Sequence, residues 1–149
     1  MEPFVRNFIR SSLAWLGVGV LLGTSMAFWP MAATVYRPAH AHANLLGFVS
    51  MMIFGVAYHV IPRFSGSALH SRRLAAAQLW VSNIGLGLLV GGWIVRVHAS
   101  AAGFLAVRAG AVLSAVGAMF FIYNVWRTMD RAVMARTGGR LPVKAGSRG

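Results

Sequence analysis

Residues 37–63, RPAHAHANLLGFVSMMIFGVAYHVIPR, decide the fold of this chain. The apolar stretch between Pro38 and Pro62 is long enough to cross the hydrocarbon core of a bilayer, which needs about 20 helical residues. Proline suits the first turn of a helix and stops a helix that it follows, so the sequence predicts a membrane helix over about residues 40–61. His40 and His42 stand at its start, where an ionisable side chain is costly unless it binds something.

Three further apolar runs of similar length predict helices over about residues 11–29, 74–95 and 104–126. Of the 149 residues, 58% are hydrophobic and 11% are charged, a balance typical of membrane proteins. Short connections between the runs favour antiparallel packing of consecutive helices. We therefore predict an all-α membrane protein, a four-transmembrane-helix antiparallel bundle. It forms a single domain over residues 1–136, followed by a basic, mobile cytoplasmic tail over residues 137–149.

The basic residues predict the orientation of the bundle. Eleven of the 14 Lys and Arg residues fall at the predicted end that holds both termini, and the other end has only Arg37, Arg96 and Arg108. Cytoplasmic loops carry such an excess, so we predict a bacterial cytoplasmic-membrane protein with both termini in the cytoplasm. The first run has a longer apolar core than a cleaved leader, so we interpret it as a retained helix. The aromatic residues lie in the apolar runs and not among the basic residues, so we predict no nucleic-acid partner.

Small and polar residues recur along one side of each later helix. The second helix carries His40, Asn44, Gly47, Met51, Gly55 and Tyr58; the third carries Trp80, Ile84, Gly87, Gly91, Ile94 and His98; the fourth carries Gly103, Gly110, Ser114, Gly117, Phe121 and Asn124. Such residues let helices approach closely in lipid, and they could equally make room for a flat macrocycle. The pattern leaves both interpretations open.

The histidines at the outer end point to a haem or, as an alternative, to a metal ion. His40 and His98 lie on neighbouring predicted helices and could supply two axial imidazoles, while Arg37, Arg96 and Arg108 could pair with haem propionates. His40 and His42 are about 200° apart on a helix, and His40 is preferred because it shares a side with Asn44 and Gly47. If the helix begins only near Ala43, both histidines could converge. Without cysteine, a haem would be held non-covalently.

The second helix resembles that of the haem-copper oxidase catalytic subunits, the family of cytochrome c oxidases and nitric oxide reductases. The likeness rests on residues 37–40, RPAH, continued by Gly55, Tyr58 and Pro62-Arg63; residues 78–85, QLWVSNIG, and 117–128, GAMFFIYNVWRT, resemble the last helices of that family. It implies that His40 is an axial ligand of a low-spin haem near the outer surface. A second register, through HANLL over residues 42–46, gives that role to His42.

Departures from the family pattern limit what the resemblance implies. The chain is much shorter than such a subunit. It lacks the helix whose His-x-His pair supplies the second low-spin ligand and the high-spin haem ligand in the family, and it lacks the family's three-histidine copper site. Oxygen or nitric oxide reduction by this chain alone is therefore disfavoured. The second axial ligand would be His98, the other histidine of the 40/42 pair, a methionine, or a histidine of another copy.

The sequence thus predicts a small b-type haem protein that serves electron transfer or binds haem or a gas. The cofactor-binding residues would be His40, His42, His98, Arg37, Arg96, Arg108, Asn44 and Gly47. One alternative is a copper, zinc or iron site made by His40, His42 and His98, since imidazole suits all three metals. Another is a structural or assembly subunit of a respiratory complex. Expected partners are the lipid bilayer, further copies or respiratory subunits, and a redox partner or quinone.

Overall fold

Four long helices make up the part of the protein that the computed structural model describes, residues 2–97 and 99–138. Helix α1 spans Pro3–Phe28, α2 spans Pro30–Ser65, α3 spans Arg72–Val95 and α4 spans Ser100–Gly138. All four are long and apolar enough to cross a membrane, judged by length and composition. The predicted all-α membrane fold with four spanning helices is confirmed.

The helices extend beyond the predicted bounds, most clearly at their starts. Helix α1 begins at Pro3 and α2 at Pro30, both positions where proline needs no hydrogen-bond partner for a backbone N–H. Pro38 and Pro62 lie inside α2 rather than at its ends. Residues 139–149, which make up most of the predicted tail, lie outside the described residues, and Thr137 and Gly138 belong to α4.

Helix α2 changes its hydrogen-bonding pattern directly after the two histidines. The segment Ala43–Ser50 is a π-helix, between α-helical segments Ala33–His42 and Met51–Ser65. The Asn44 side-chain amide donates to the His40 carbonyl at 2.9 Å, so it competes with the backbone for that acceptor. Six residues on, the Ser50 hydroxyl donates to the Leu45 carbonyl at 2.8 Å. Wide turns of this kind occur often at functional sites.

The bundle has two ends, which we name by their residues. The terminal end holds the start of α1 and the α2–α3 loop, as the ion pair of Glu2 with Arg72 shows (3.0 Å). The histidine end holds His40 and Arg96. Each end has its own apolar core: Phe4, Val5, Phe8, Met51, Tyr58, Ala75 and Leu79 at the terminal end, and Ala39, Ala43, Leu86 and Val90 at the histidine end.

A buried polar network ties three helices together near the terminal end. The Asn124 side chain accepts from the Ser71 N–H and donates to the Ser71 carbonyl, both at 2.9 Å, and it also donates to the Tyr58 hydroxyl at 3.5 Å. Tyr58 donates in turn to the Gln78 side-chain oxygen. All three side chains are buried, so the network fixes α2 and the start of α3 against α4.

The side of α3 that packs against α4 differs from the predicted one. Trp80 and Ile84 are 68% and 54% exposed, and a Cβ added at Gly87 or Gly91 would meet nothing within 4 Å. Because α3 has small and apolar residues on every side, its periodicity could not select the packing face. The face in contact carries Gln78, Ser82, Gly85, Leu89 and Gly92. On α4 the predicted residues Gly103, Gly110 and Gly117 do meet α3 and the residues just after it.

Gly110→Ala is expected to lower the free energy of unfolding by about 1–2 kcal/mol, because a Cβ there overpacks the α3–α4 contact. That atom would lie 2.6 Å from the Gly85 carbonyl oxygen and closer still to the backbone nitrogen of Leu89. The matched control is Gly87→Ala, where the added atom meets open space and only raises helix propensity. Denaturant titration in detergent, followed by circular dichroism, measures both. Equal effects of the two variants would contradict the close approach.

Candidate haem-ligand site

The His40 ring is held against α1 through its Nδ1, and its Nε2 has no hydrogen-bond partner among the described residues. Its Nδ1 lies 2.8 Å from the carbonyl oxygen of Gly19. A carbonyl oxygen only accepts hydrogen bonds, so the proton is on Nδ1 and Nε2 carries the free lone pair. Proteins orient metal-binding histidines with this type of bond, because it fixes both the ring and its tautomer.

Two glycines of α1 make the room for this arrangement. A Cβ at Gly23 would lie 2.9 Å from the His40 ring carbon Cε1, and a Cβ at Gly19 would lie 2.5 Å from the Asn44 amide nitrogen. A larger residue at Gly23 or Gly19 would displace the His40 ring or the Asn44 amide from its present position. Gly19 and Gly23 were not among the predicted site residues, although their spacing of four places both on one side of a helix and was a usable signal.

His42 faces a different side of α2. Helix Ala33–His42 runs through both histidines, so the two rings are not brought together, and the convergence considered for a later helix start does not occur. The Nδ1 of His42 lies 2.7 Å from the carbonyl oxygen of Pro38 in its own helix, which again leaves Nε2 as the free nitrogen. Both rings are half-buried. His42 therefore offers the same ring nitrogen, Nε2, as His40, but its ring is held in place by a bond within α2 and not by another helix.

The other candidate residues are distributed around the histidine end. The Arg96 guanidinium stacks on two rings, 4.9 Å from the centre of Trp93 and 4.2 Å from that of Phe104. Arg37 and Arg108 are exposed. His98 lies outside the described residues, so its pairing with His40 stays a prediction.

A cavity of about 210 Å³ opens beside Arg96. Within the described residues, the indole nitrogen of Trp93 is buried there without a hydrogen-bond partner. Guanidinium and indole groups are both donors, so together they suit an anionic oxygen. The lining residues are Thr34, Val35, Pro38, Trp93, Arg96 and Val97.

The seam between α2 and α3 is closed at this end. Ala39 and Ala43 are fully buried in one core with Leu86 and Val90. A Cβ at Gly47 would lie 2.5 Å from the Trp15 Cβ and 2.9 Å from a Leu86 methyl carbon. The small size of Gly47 thus serves close helix contact, and its predicted role of clearing room for a macrocycle is not supported. A haem held by His40 has to lie elsewhere than in this seam.

The two histidines at the terminal end take no part in the site. His59 lies 17 residues beyond His42, about 25 Å along the helix, and its Nδ1 accepts from Arg63 at 2.9 Å. His70, in the α2–α3 loop, packs edge-on against Tyr123. Its pKa is lowered by desolvation and by the guanidinium groups of Arg131 and Arg127, which favours the neutral ring.

The residues present fit a haem better than a bare metal ion. One imidazole with an oriented, unprotonated Nε2 is an axial haem ligand by its chemistry. A bare ion needs several protein ligands. Across residues 2–97 and 99–138, no group of three or more His, Cys, Asp and Glu residues could hold one. The alternative site of His40, His42 and His98 remains untested because it includes a residue outside that range.

The chain is similar in sequence to bacterial proteins that are named as cytochrome c oxidase subunits or as a homologue of one. It is 28% identical over 160 residues to subunit CcoN1 of the cbb3-type cytochrome c oxidase of Stutzerimonas stutzeri, an alignment that covers 88% of this chain and 34% of that subunit. It is 26% identical to cytochrome c oxidase subunit 1 of Rhodobacter capsulatus, over 87% of this chain and 30% of the relative. A bacteroid homologue of subunit 1 from Bradyrhizobium diazoefficiens is 24% identical over 86% of this chain and 28% of its own length.

No family model matches the chain. The resemblance to the haem-copper oxidase catalytic subunits is nevertheless confirmed, since these relatives are subunits of that family. The chain spans about a third of the length of the curated relatives that it matches. Its spanning helices and bacterial relatives make it a multi-pass protein of the inner membrane.

Proposed function

We propose that this protein binds a b-type haem through His40 and serves electron transfer, or haem or gas binding, without reducing oxygen by itself. The observation that supports this most is the hydrogen bond from His40 Nδ1 to the Gly19 carbonyl oxygen, which leaves Nε2 free to bind iron. The relatives are named as cytochrome c oxidase subunits, and a haem in this chain is in keeping with that. When bound, the haem iron would supply a one-electron redox centre.

Arg96 and Trp93 are proposed to hold a haem propionate. Both residues line one cavity at the histidine end, and the buried indole nitrogen of Trp93 lacks a partner among the described residues. Stacking on Trp93 and Phe104 holds the guanidinium in place. The second axial position is assigned to His98 or to a histidine of another copy, since His42 faces a different side of α2.

We further propose that both termini face the cytoplasm and that the haem lies near the outer surface. Support comes from the charge distribution, because among the described residues eight basic residues lie at the terminal end against three at the histidine end. Positive residues concentrate on the cytoplasmic side of bacterial membrane proteins. A haem near the outer surface would be accessible to a redox partner outside the membrane.

The closed seam between α2 and α3 favours a second candidate function, that of a structural or assembly subunit of a respiratory complex. Ala39, Ala43 and Gly47 pack directly against α3, α1 or both, so the likeness to the oxidase helix can be explained by packing alone. In that case the chain would bind no haem.

Absorption spectroscopy separates the two candidates. We expect protein purified from haem-supplemented expression to show a Soret band, with visible bands that shift on reduction by dithionite. A pyridine haemochrome spectrum should identify the cofactor as haem b. Its intensity should correspond to about one haem per chain or per pair of chains. Protein that is folded by circular dichroism but lacks a Soret band would reject the haem proposal and leave the structural subunit.

A further inference from the structure

We propose that the groove between α1 and α3 at the terminal end binds the phosphodiester headgroup of an anionic phospholipid. A cavity of about 350 Å³ opens there on the lipid-facing side of the bundle. It lies about two turns from the start of α1. Its lining residues are Asn7, Arg10, Ser11, Leu79, Trp80 and Asn83.

The hydrogen bonds beneath the groove direct donors into it. The Asn83 side chain is fully engaged: its oxygen accepts from the Trp15 indole at 3.0 Å, and its nitrogen donates to the Ser11 hydroxyl oxygen at 3.3 Å and to the Leu79 carbonyl at 2.8 Å. Because Ser11 accepts from Asn83, its own O–H remains available to donate. The polar atoms of Asn83 at the floor of the groove are thus hydrogen-bonded within the protein. Among the described residues, the donors at its rim remain available to a ligand.

Arg10 supplies the positive charge of the groove. Its side chain is exposed, and no carboxylate of the described residues lies within ion-pair distance of it; the ion pair described at this end joins Arg72 to Glu2. Guanidinium binds phosphate oxygens in paired hydrogen bonds. The Asn7 amide and the Ser11 hydroxyl, each about one turn or less away along α1, can donate to the same group.

The chemistry of the groove selects an anionic lipid over a zwitterionic one. No Asp or Glu lines it, so the ammonium group of a zwitterionic headgroup would find no partner and would meet the Arg10 charge. Trp80 is 68% exposed beside Leu79 and can cover the upper part of an acyl chain, a position that tryptophan favours at membrane interfaces. Basic pockets between helices on the cytoplasmic side bind such headgroups in other membrane proteins.

Native mass spectrometry of the detergent-purified protein tests this proposal. Phosphatidylglycerol and phosphatidylcholine with identical acyl chains are added separately and in competition. We expect the wild type to bind phosphatidylglycerol about fivefold more tightly and Arg10→Gln to lose that preference. Ser11→Ala should weaken binding without changing helix content. The matched control is Arg127→Gln, because Arg127 is also exposed but lines a cavity that contains Asp130.

Three results would overturn the proposal: equal binding of the two lipids, an unchanged preference in Arg10→Gln, or equal losses in Arg10→Gln and Arg127→Gln. The last measurement adds millimolar inorganic phosphate as a competitor of phosphatidylglycerol. If it displaces phosphatidylglycerol completely, the groove recognises the phosphate group alone and is not selective for a lipid, which would also overturn the proposal. None of these measurements depends on haem, so their outcome is independent of the proposed function.

Discussion

His40→Ala is expected to abolish the Soret band of haem-reconstituted protein, whereas His42→Ala retains it. Removing the ring removes the free Nε2 that the Gly19 carbonyl orients toward a ligand. In His42→Ala the contact between α1 and α2 stays intact, because among the described residues the His42 ring bonds only to Pro38 of its own helix. Absorption spectra of the oxidised and reduced variants, normalised to protein, make the comparison.

Two controls keep this result interpretable. His59→Ala removes a half-buried histidine of the same helix at the terminal end, and its spectrum should equal that of the wild type. Added imidazole should restore part of the Soret band in His40→Ala, since it can occupy the space beside Gly23. Loss of the band in His42→Ala alone would transfer the ligand role to His42. An unchanged spectrum in both variants and in the double variant would remove both from the site.

Asn124→Ala is expected to lower the free energy of unfolding by about 3 kcal/mol, since it removes three hydrogen bonds of the polar network near the terminal end. The Ser71 N–H and carbonyl lose their bonds to the Asn124 side chain, and Tyr58 loses a donor. Hydrogen bonds between membrane helices contribute modestly one by one. The larger effect here comes from losing three bonds at once and from the Ser71 N–H, which keeps no acceptor among the described residues, whereas the Ser71 carbonyl still accepts from the Ala75 N–H at 3.3 Å. Denaturant titration in detergent gives the difference.

Asn7→Ala is the matched control for the stability effect. Asn7 is exposed on α1, and its replacement should change the free energy of unfolding by less than about 0.5 kcal/mol. Tyr58→Phe should show part of the Asn124→Ala effect, because it removes only the hydroxyl of the network. If Asn124→Ala and Asn7→Ala proved equally mild, the network would not fix α2 and α3 against α4.

The sequence predicted the spanning helices because the hydrophobic contributions of the residues in each run add up. Each apolar run contributes some twenty residues whose transfer into the bilayer dominates every local preference. The starts of α1 and α2 were placed too late, since polar residues such as Arg6, Asn7 and Arg10 ended the apolar runs but not the helices. Membrane helices commonly continue into the interface, and Pro3 and Pro30 were the signals for their starts.

The packing faces were predicted only where the glycines of a helix were confined to one side. On α4, Gly103, Gly110 and Gly117 lie on the face that meets α3. On α3, Gly87 and Gly91 look equivalent to Gly85 and Gly92 in the sequence, yet only the latter two contact α4. Lipid is as apolar as a helix surface, so composition does not separate a lipid-facing side from a packed one.

The sequence by itself determined the class of protein, its four spans and the two histidines of interest, because these follow from composition and spacing along one chain. The tertiary structure alone decided what each histidine does. It placed the His40 ring against the Gly19 carbonyl of another helix and the His42 ring against the Pro38 carbonyl of its own helix. It also closed the seam beside Gly47. The contacts of His40 and Gly47 join residues some 20 positions or more apart, and they depend on how two helices are rotated about their axes. No local pattern specifies that rotation.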